Sequence, residues 1–286
     1  MSVYSNQLNN YTMRHFLLTF ISLLALVVNV HAYKVKDVNI FSESMKKKIP
    51  ARIVTPDSYK HKDAFPVVYL LHGHSGNYTS WTEGSDVEEL SDLYDIIIVM
   101  PDGGHDSWYF DSKIAKDYQY ETFISSELVA YVDNNFKTIK DRSGRAITGL
   151  SMGGHGAMYN AIRHQDVFGS AGSTSGGVDI RPFPGKWNIA GRLGAYHEHP
   201  EVWENNTIIN MTHLLTPGSL NIIIDCGFDD FFYKVNCDLH DKLLKEGIPH
   251  DFYTRPGKHN WQYWKNSIKY QMLFFSNSFM KMSDNQ

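Results

Sequence analysis

Short, unbroken apolar runs, each ending in a glycine-containing turn, recur along the chain: FPVVYLLHG (65–73), YDIIIVMPDGG (94–104), GRAITGLS (144–151), VFGSAGSTSGG (167–177) and LNIIIDCG (220–227). A strand with one wetted face alternates apolar and polar residues, whereas a strand covered on both faces has no such alternation. The runs therefore predict a mainly parallel sheet packed on both sides. Between them the period lengthens. ETFISSELVAYVDNNF (121–136) places Ile124, Leu128 and Val132 at i, i+4 and i+8, and NCDLHDKLLKEG (236–247) places Leu239, Leu243 and Leu244 ahead of a stop at Gly247. NWQYWKNSIKYQMLFFSNSFMKM predicts a long closing helix. This alternation of strand and helix predicts an α/β protein, a doubly wound sheet with helices on both faces. Residues 47–59 predict an antiparallel edge strand entering a turn. The stretch 178–218 has little periodicity, carries Trp187 and Trp203, and is expected to run as an excursion over the site.

The N-terminus departs from this pattern. Phe16 to Val30 is a nearly continuous apolar run, preceded by Arg14 and followed by the small residue Ala32. A charged flank, an apolar segment and a small residue at the cleavage point are what a secretory signal peptide requires, and the run is short for a bilayer span of about 20 residues. Residues 1–32, with Met13 as an alternative start, are therefore expected to be a signal peptide. The product is expected to be exported, periplasmic or secreted, with no membrane span after cleavage and one domain over 33–286.

Composition narrows the partners. The chain of 286 residues is 42% hydrophobic and 20% charged with a formal charge of -4. That balance offers no basic surface for nucleic acid. Cys226 and Cys237 are too few for a disulfide framework and are expected to be free thiols. Sequons at Asn77, Asn205 and Asn210 matter only in a host that glycosylates them.

The chemistry concentrates at Gly149-x-Ser151-x-Gly153. Ser151 falls between a predicted strand and a predicted helix whose first turns are small, which is where a strand–turn–helix elbow presents a nucleophile at the carboxyl edge of a sheet. A serine hydroxyl is inert near neutral pH without a base, and the base needs an orienting carboxylate, in the chain order serine, acid, histidine. The late run IIIDCGFDDFF supplies Asp225, Asp229 and Asp230. Asp225 is expected to end the strand, leaving the other two in the loop beyond it. His259 follows Gly257 just before the closing helix. Two N–H donors must stabilise the developing oxyanion: Met152, next after the serine, and His74, through its backbone in LLHGHSGN. His72 and His74 have metal-ligand spacing but no third ligand nearby, so no metal is expected.

Four segments in order, YLLHGHSGNYTSW, MPDGGHDSWYFD, ITGLSMGGHGAMYNAIRHQDVFGSAGSTSGG and IDCGFDDFFYKVNCDLHDKLLKEGIPHDFYTRPGKHNWQYW, resemble the esterase family of the esterase D or antigen 85 type. The resemblance covers essentially the whole chain after the signal and implies an α/β-hydrolase fold. It implies Ser151 as nucleophile, His259 as general base, Asp230 as acid with Asp229 as runner-up, and the His74 and Met152 amides as the oxyanion hole. Trp108 is implied as part of the pocket wall. No metal or organic cofactor is implied. The family includes feruloyl esterases, tributyrin-type carboxylesterases, S-formylglutathione hydrolases and mycolyltransferases. An export signal disfavours S-formylglutathione chemistry, and no apolar insertion suggests a long acyl groove. The expected function is hydrolysis of short acyl, acetyl or feruloyl esters on small molecules or polysaccharide. Mycolyltransferase-like acyl transfer and S-formylglutathione hydrolysis are the alternatives, with a noncatalytic carbohydrate-binding relative behind them, and Trp187 and Trp203 are candidates to stack on a sugar or phenolic ring.

Overall fold

Successive residues of the central strands enter two separate cores. Val67, Tyr69 and Leu71 join one cluster and Val68 and Leu70 the other; Ile97 and Val99 are likewise divided from Ile98 and Met100, and Ile222 and Ile224 from Ile223. With side chains alternating across the sheet, a strand apolar at every position feeds both faces, which is why the runs lack polar positions.

The computed structural model describes residues 33–283. The expected signal peptide lies outside the described residues. The strands are β1 (Lys34–Ser42), β2 (Lys47–Thr55), β3 (Val67–Leu71), β4 (Ile97–Pro101), β5 (Arg145–Gly149), β6 (Ser170–Thr174), β7 (Asn221–Gly227) and β8 (Asp251–Arg255). They form an eight-stranded sheet in the order β1-β2-β4-β3-β5-β6-β7-β8. β1–β2 and β2–β4 pair antiparallel and every other neighbour is parallel. The antiparallel strand expected near residue 47 is therefore present, but it is not the edge. β1 covers it, and the first four residues of β1 are exposed, KVKD, so the run lacks the buried pattern that marks the other strands.

The longer helices are α1 (Val87–Tyr94), α2 (120–135), α3 (Met152–Arg163), α4 (Tyr233–Lys245) and α5 (Trp261–Ser283). Residues Phe123–Leu128 form a π-helical segment inside α2. Leu128 and Val132 of α2, Met158 and Ile162 of α3, and Leu239 and Leu243 of α4 pack into the first core, whereas Leu90 of α1 and Ile268, Met272 and Phe275 of α5 pack into the second. This is the expected α/β-hydrolase arrangement, helices on both faces of a mainly parallel sheet. Among the described residues no helix is long and apolar enough to cross a membrane. Cys226 and Cys237 are both free.

Candidate active site

β5 ends at Gly149 and α3 begins at Met152, leaving Ser151 to turn the chain with φ 57° and ψ -118°. A non-glycine residue held there costs about 1–3 kcal/mol, so its surroundings must impose the geometry. They do so through the backbone: Ser151 N–H donates to Thr174 O at 2.9 Å, and Ser151 O accepts from His155 N–H at 3.0 Å. A Cβ on Gly149 would lie 2.6 Å from Gly153 C and from Leu71 O, and one on Gly153 would lie 2.4 Å from Leu71 O. The spaced glycines thus permit strand and helix to meet with Ser151 at the apex.

β7 and β8 deliver the other two groups. The loop after β7 places Asp230, and the loop between β8 and α5 places His259. His259 Nε2 is 2.9 Å from Ser151 Oγ, while its Nδ1 is 3.0 Å and 2.8 Å from the two oxygens of Asp230. The carboxylate accepts the Nδ1 proton, which leaves Nε2 free to accept from the serine hydroxyl. Asp230 also accepts from Phe232 N–H at 2.8 Å, and its side chain is fully buried. Asp229 is exposed, and its N–H donates instead to Gly257 O at 2.9 Å. Of the three aspartates weighed from sequence, the structure brings only Asp230 to the histidine. Asp225 is buried beneath, bonded to Arg255, Tyr263 and Ser267.

The loop after β3 also lies against Ser151. A Cβ on Gly73 would stand 3.3 Å from Ser151 Cβ, so this backbone passes directly against the serine and presents His74 beside it. Among the described residues, the N–H groups of His74 and Met152 have no protein acceptor. Met152 N–H also opens α3, where a helix N-terminus favours negative charge. Both ring nitrogens of His72 are occupied: Nδ1–H donates to Gly73 O at 2.8 Å and Nε2 accepts from Gly103 N–H at 2.7 Å. Burial holds this imidazole below its ordinary pKa. His72 therefore shapes the loop and offers no lone pair to a metal.

A cleft of about 460 Å³ opens over Ser151, lined among others by His74, Trp187, Phe231, His259, Trp261 and Trp264. Trp187 is on this wall as expected. Trp203 is not: it is fully buried, its indole N–H donating to Gly194 O at 2.9 Å, so it cannot stack on a ligand. Trp108 also departs from expectation, lying buried one layer behind the wall with its Nε1–H donating to Trp187 O at 3.2 Å. Phe231, Trp261 and Trp264 were not anticipated, although Phe231 directly follows the acid in DDFF. A larger cleft of about 1210 Å³, lined by residues such as Glu121, Arg163 and Glu204, contains none of the Ser151, His259 or Asp230 groups.

The arrangement, a hydroxyl bonded to an oriented imidazole beside a loop and a helix start whose His74 and Met152 N–H groups have no protein acceptor among the described residues, can perform acyl transfer. Comparisons with known proteins agree. The sequence profile of the Putative esterase family matches residues 42–275. An acetyl esterase of Caldicellulosiruptor saccharolyticus is 28% identical over 254 residues, 82% of this chain and 95% of that protein. An endo-1,4-beta-xylanase/feruloyl esterase of Xylanibacter ruminicola is 31% identical over 158 residues, 50% of this chain and 22% of that much longer protein. A solved ferulic acid esterase superposes with a TM-score of 0.76 at 28% identity, covering 86% of this chain and 98% of the other. The chain belongs to this esterase family and is a serine hydrolase acting on carboxylic ester bonds.

Proposed function

We propose that the protein is an exported carboxylesterase that removes short acyl groups, acetyl or feruloyl, from polysaccharide-linked esters through a Ser151 acyl-enzyme. The observation that carries the mechanism is the continuous row from Asp230 through His259 to Ser151, at 2.8 Å and 2.9 Å, beside the His74 and Met152 N–H groups, which have no protein acceptor among the described residues. His259 Nε2 takes the hydroxyl proton as Ser151 Oγ attacks the ester carbonyl. Asp230 stabilises the imidazolium, and the His74 and Met152 amides hold the oxyanion. The imidazolium protonates the departing alkoxide, the C–O bond breaks, and the acyl group stays on Ser151. Water, deprotonated by the same imidazole, then attacks the acyl-enzyme, and collapse of the second oxyanion releases the acid and returns the proton to Ser151.

Support for the substrate class comes from the aromatic lining of the cleft and from the acetyl and feruloyl esterases among the similar proteins. Export is supported by the N-terminal apolar run alone. The test compares hydrolysis of 4-nitrophenyl acetate, methyl ferulate and feruloylated or acetylated xylan by wild type and Ser151→Ala. Ester cleavage by wild type that falls at least about 10³-fold in the variant is expected; near-wild-type turnover without the hydroxyl refutes the mechanism. Release of acid from the model esters but from neither polysaccharide refutes the substrate assignment.

A further inference from the structure

The wall of the cleft formed by Trp187 is held in an unfavourable conformation. Trp187 and Asn188 are consecutive non-glycine residues in the left-handed region, at φ 48° and 53°. Each such residue is costly unless its surroundings fix it, and Asn tolerates the region far better than Trp. What fixes them lies across the cleft rim in the β4 loop. Asn188 Nδ2–H donates to Asp106 Oδ2 at 2.6 Å, while the other carboxylate oxygen accepts from Arg192 Nη2 at 2.5 Å. Asp106 and Arg192 are both nearly buried, so their bond is shielded from water, whereas Asn188 is exposed and reaches in to the carboxylate from the surface. Trp187 O accepts from Trp108 Nε1, and the Trp187 ring stacks on Phe231 with centroids 5.6 Å apart and planes at 22°. Phe231 in turn lies 4.2 Å from the His259 ring. The position of an aromatic wall against the catalytic imidazole is thereby set by a carboxylate that touches neither.

From this we infer that Asp106, through Asn188 and Arg192, is a positioning residue for substrate selectivity: it holds Trp187 as a flat wall for a planar acyl group. The inference rests on the esterase reading and adds a specificity element to it. An ester with an aromatic acyl group needs the wall in place, whereas an acetyl group is too small to reach it. Releasing Trp187 must therefore lower the activity on the aromatic acyl ester while sparing that on the acetate, so that the ratio of the two falls.

Asn188→Gly isolates the bond, because glycine accepts the left-handed conformation and lacks only the amide. The expected result is at least a tenfold fall in the ratio of kcat/KM for methyl ferulate to that for 4-nitrophenyl acetate. The Trp187 indole ¹⁵N–¹H resonance, assigned with Trp187→Phe, is expected to shift or broaden in the same variant. Asp106→Asn, which weakens the Arg192 contact but keeps the shape, is expected to give an intermediate ratio. An unchanged ratio, or a parallel loss of both activities, overturns the inference. If wild type cleaves neither ester, the esterase reading fails, and the indole resonance decides the brace by itself: an unmoved signal in Asn188→Gly overturns it.

Discussion

Gly227 and Gly257 meet backbone to backbone: a Cβ on Gly227 would stand 2.4 Å from Gly257 O. The contact joins the end of β7, which leads to Asp230, to the loop after β8, which leads to His259. Two neighbouring backbone bonds, Phe228 N–H to Arg255 O and Asp229 N–H to Gly257 O, both at 2.9 Å, close the same seam. The acid and the imidazole are aligned by main chain before their side chains touch.

Gly227→Ala should therefore damage catalysis without unfolding the sheet. The added methyl must displace the Gly257 carbonyl and with it the histidine loop. Since a shift of about 1 Å can cost 10²-fold in rate, kcat is expected to fall at least tenfold. Circular dichroism should retain its native shape. A variant with wild-type kcat would show that the seam is not what sets the Asp230–His259 distance.

The adjacent aspartates give a sharper contrast. Asp230→Asn keeps the shape but lets His259 adopt the wrong tautomer, an effect worth about 10⁴-fold in kcat in a comparable triad. Asp229→Asn, at an exposed position bonded through its backbone, is expected to stay within about twofold. Steady-state kinetics on one ester separate them, and a reversed order would move the acid one position along the chain.

Asp225 predicts a stability effect rather than a kinetic one. Its buried carboxylate accepts from Arg255, Tyr263 and Ser267, tying β7 to β8 and α5. Burial raises its pKa, opposed by the Tyr263 hydrogen bond and the Arg255 charge. Removing one partner of a buried pair leaves the other uncompensated, so Asp225→Leu is expected to cost about 3–5 kcal/mol in urea unfolding. A loss below about 1 kcal/mol would mean that Arg255 finds water.

Glu121 sets an acid limit. Burial acts to raise its pKa, but hydrogen bonds from His164, Arg163 and Tyr159 prevail and bring it to about 2. A carboxylate depressed on folding stabilises the native state above its unfolded pKa, and that contribution is lost as pH falls from about 4.5 toward 2. The difference corresponds to about 3 kcal/mol as an order of magnitude. Glu121→Gln is expected to flatten unfolding free energy against pH in that window; a slope identical to wild type would contradict the assignment.

The central strands were legible because burial on both faces leaves a mark in the sequence, an unbroken apolar run, and the elbow because close approach of backbone demands glycine at fixed spacing. Ser151 and His259 followed from their order relative to those strands, which also narrowed the acid to Asp229 or Asp230; the choice of Asp230 came from the family resemblance. β1 was not legible, since an edge strand with four exposed leading residues looks like a polar segment. The tryptophans were not separable either. Trp187 and Trp203 lie in the same irregular stretch, and only the left-handed turn at 187–188 directs one to the cleft while the other is buried against Gly194. Asp106 gave no signal at all, because a loop brace has no period.

The left-handed turn at Ser151 has a consequence for how such a chain would age under mutation. Glycine occupies that conformation without penalty, so Ser151→Gly should raise the melting temperature while ending turnover. A copy released from its chemistry would then drift toward greater robustness at the one position where the living enzyme tolerates discomfort, and a serine retained there marks a protein still in use.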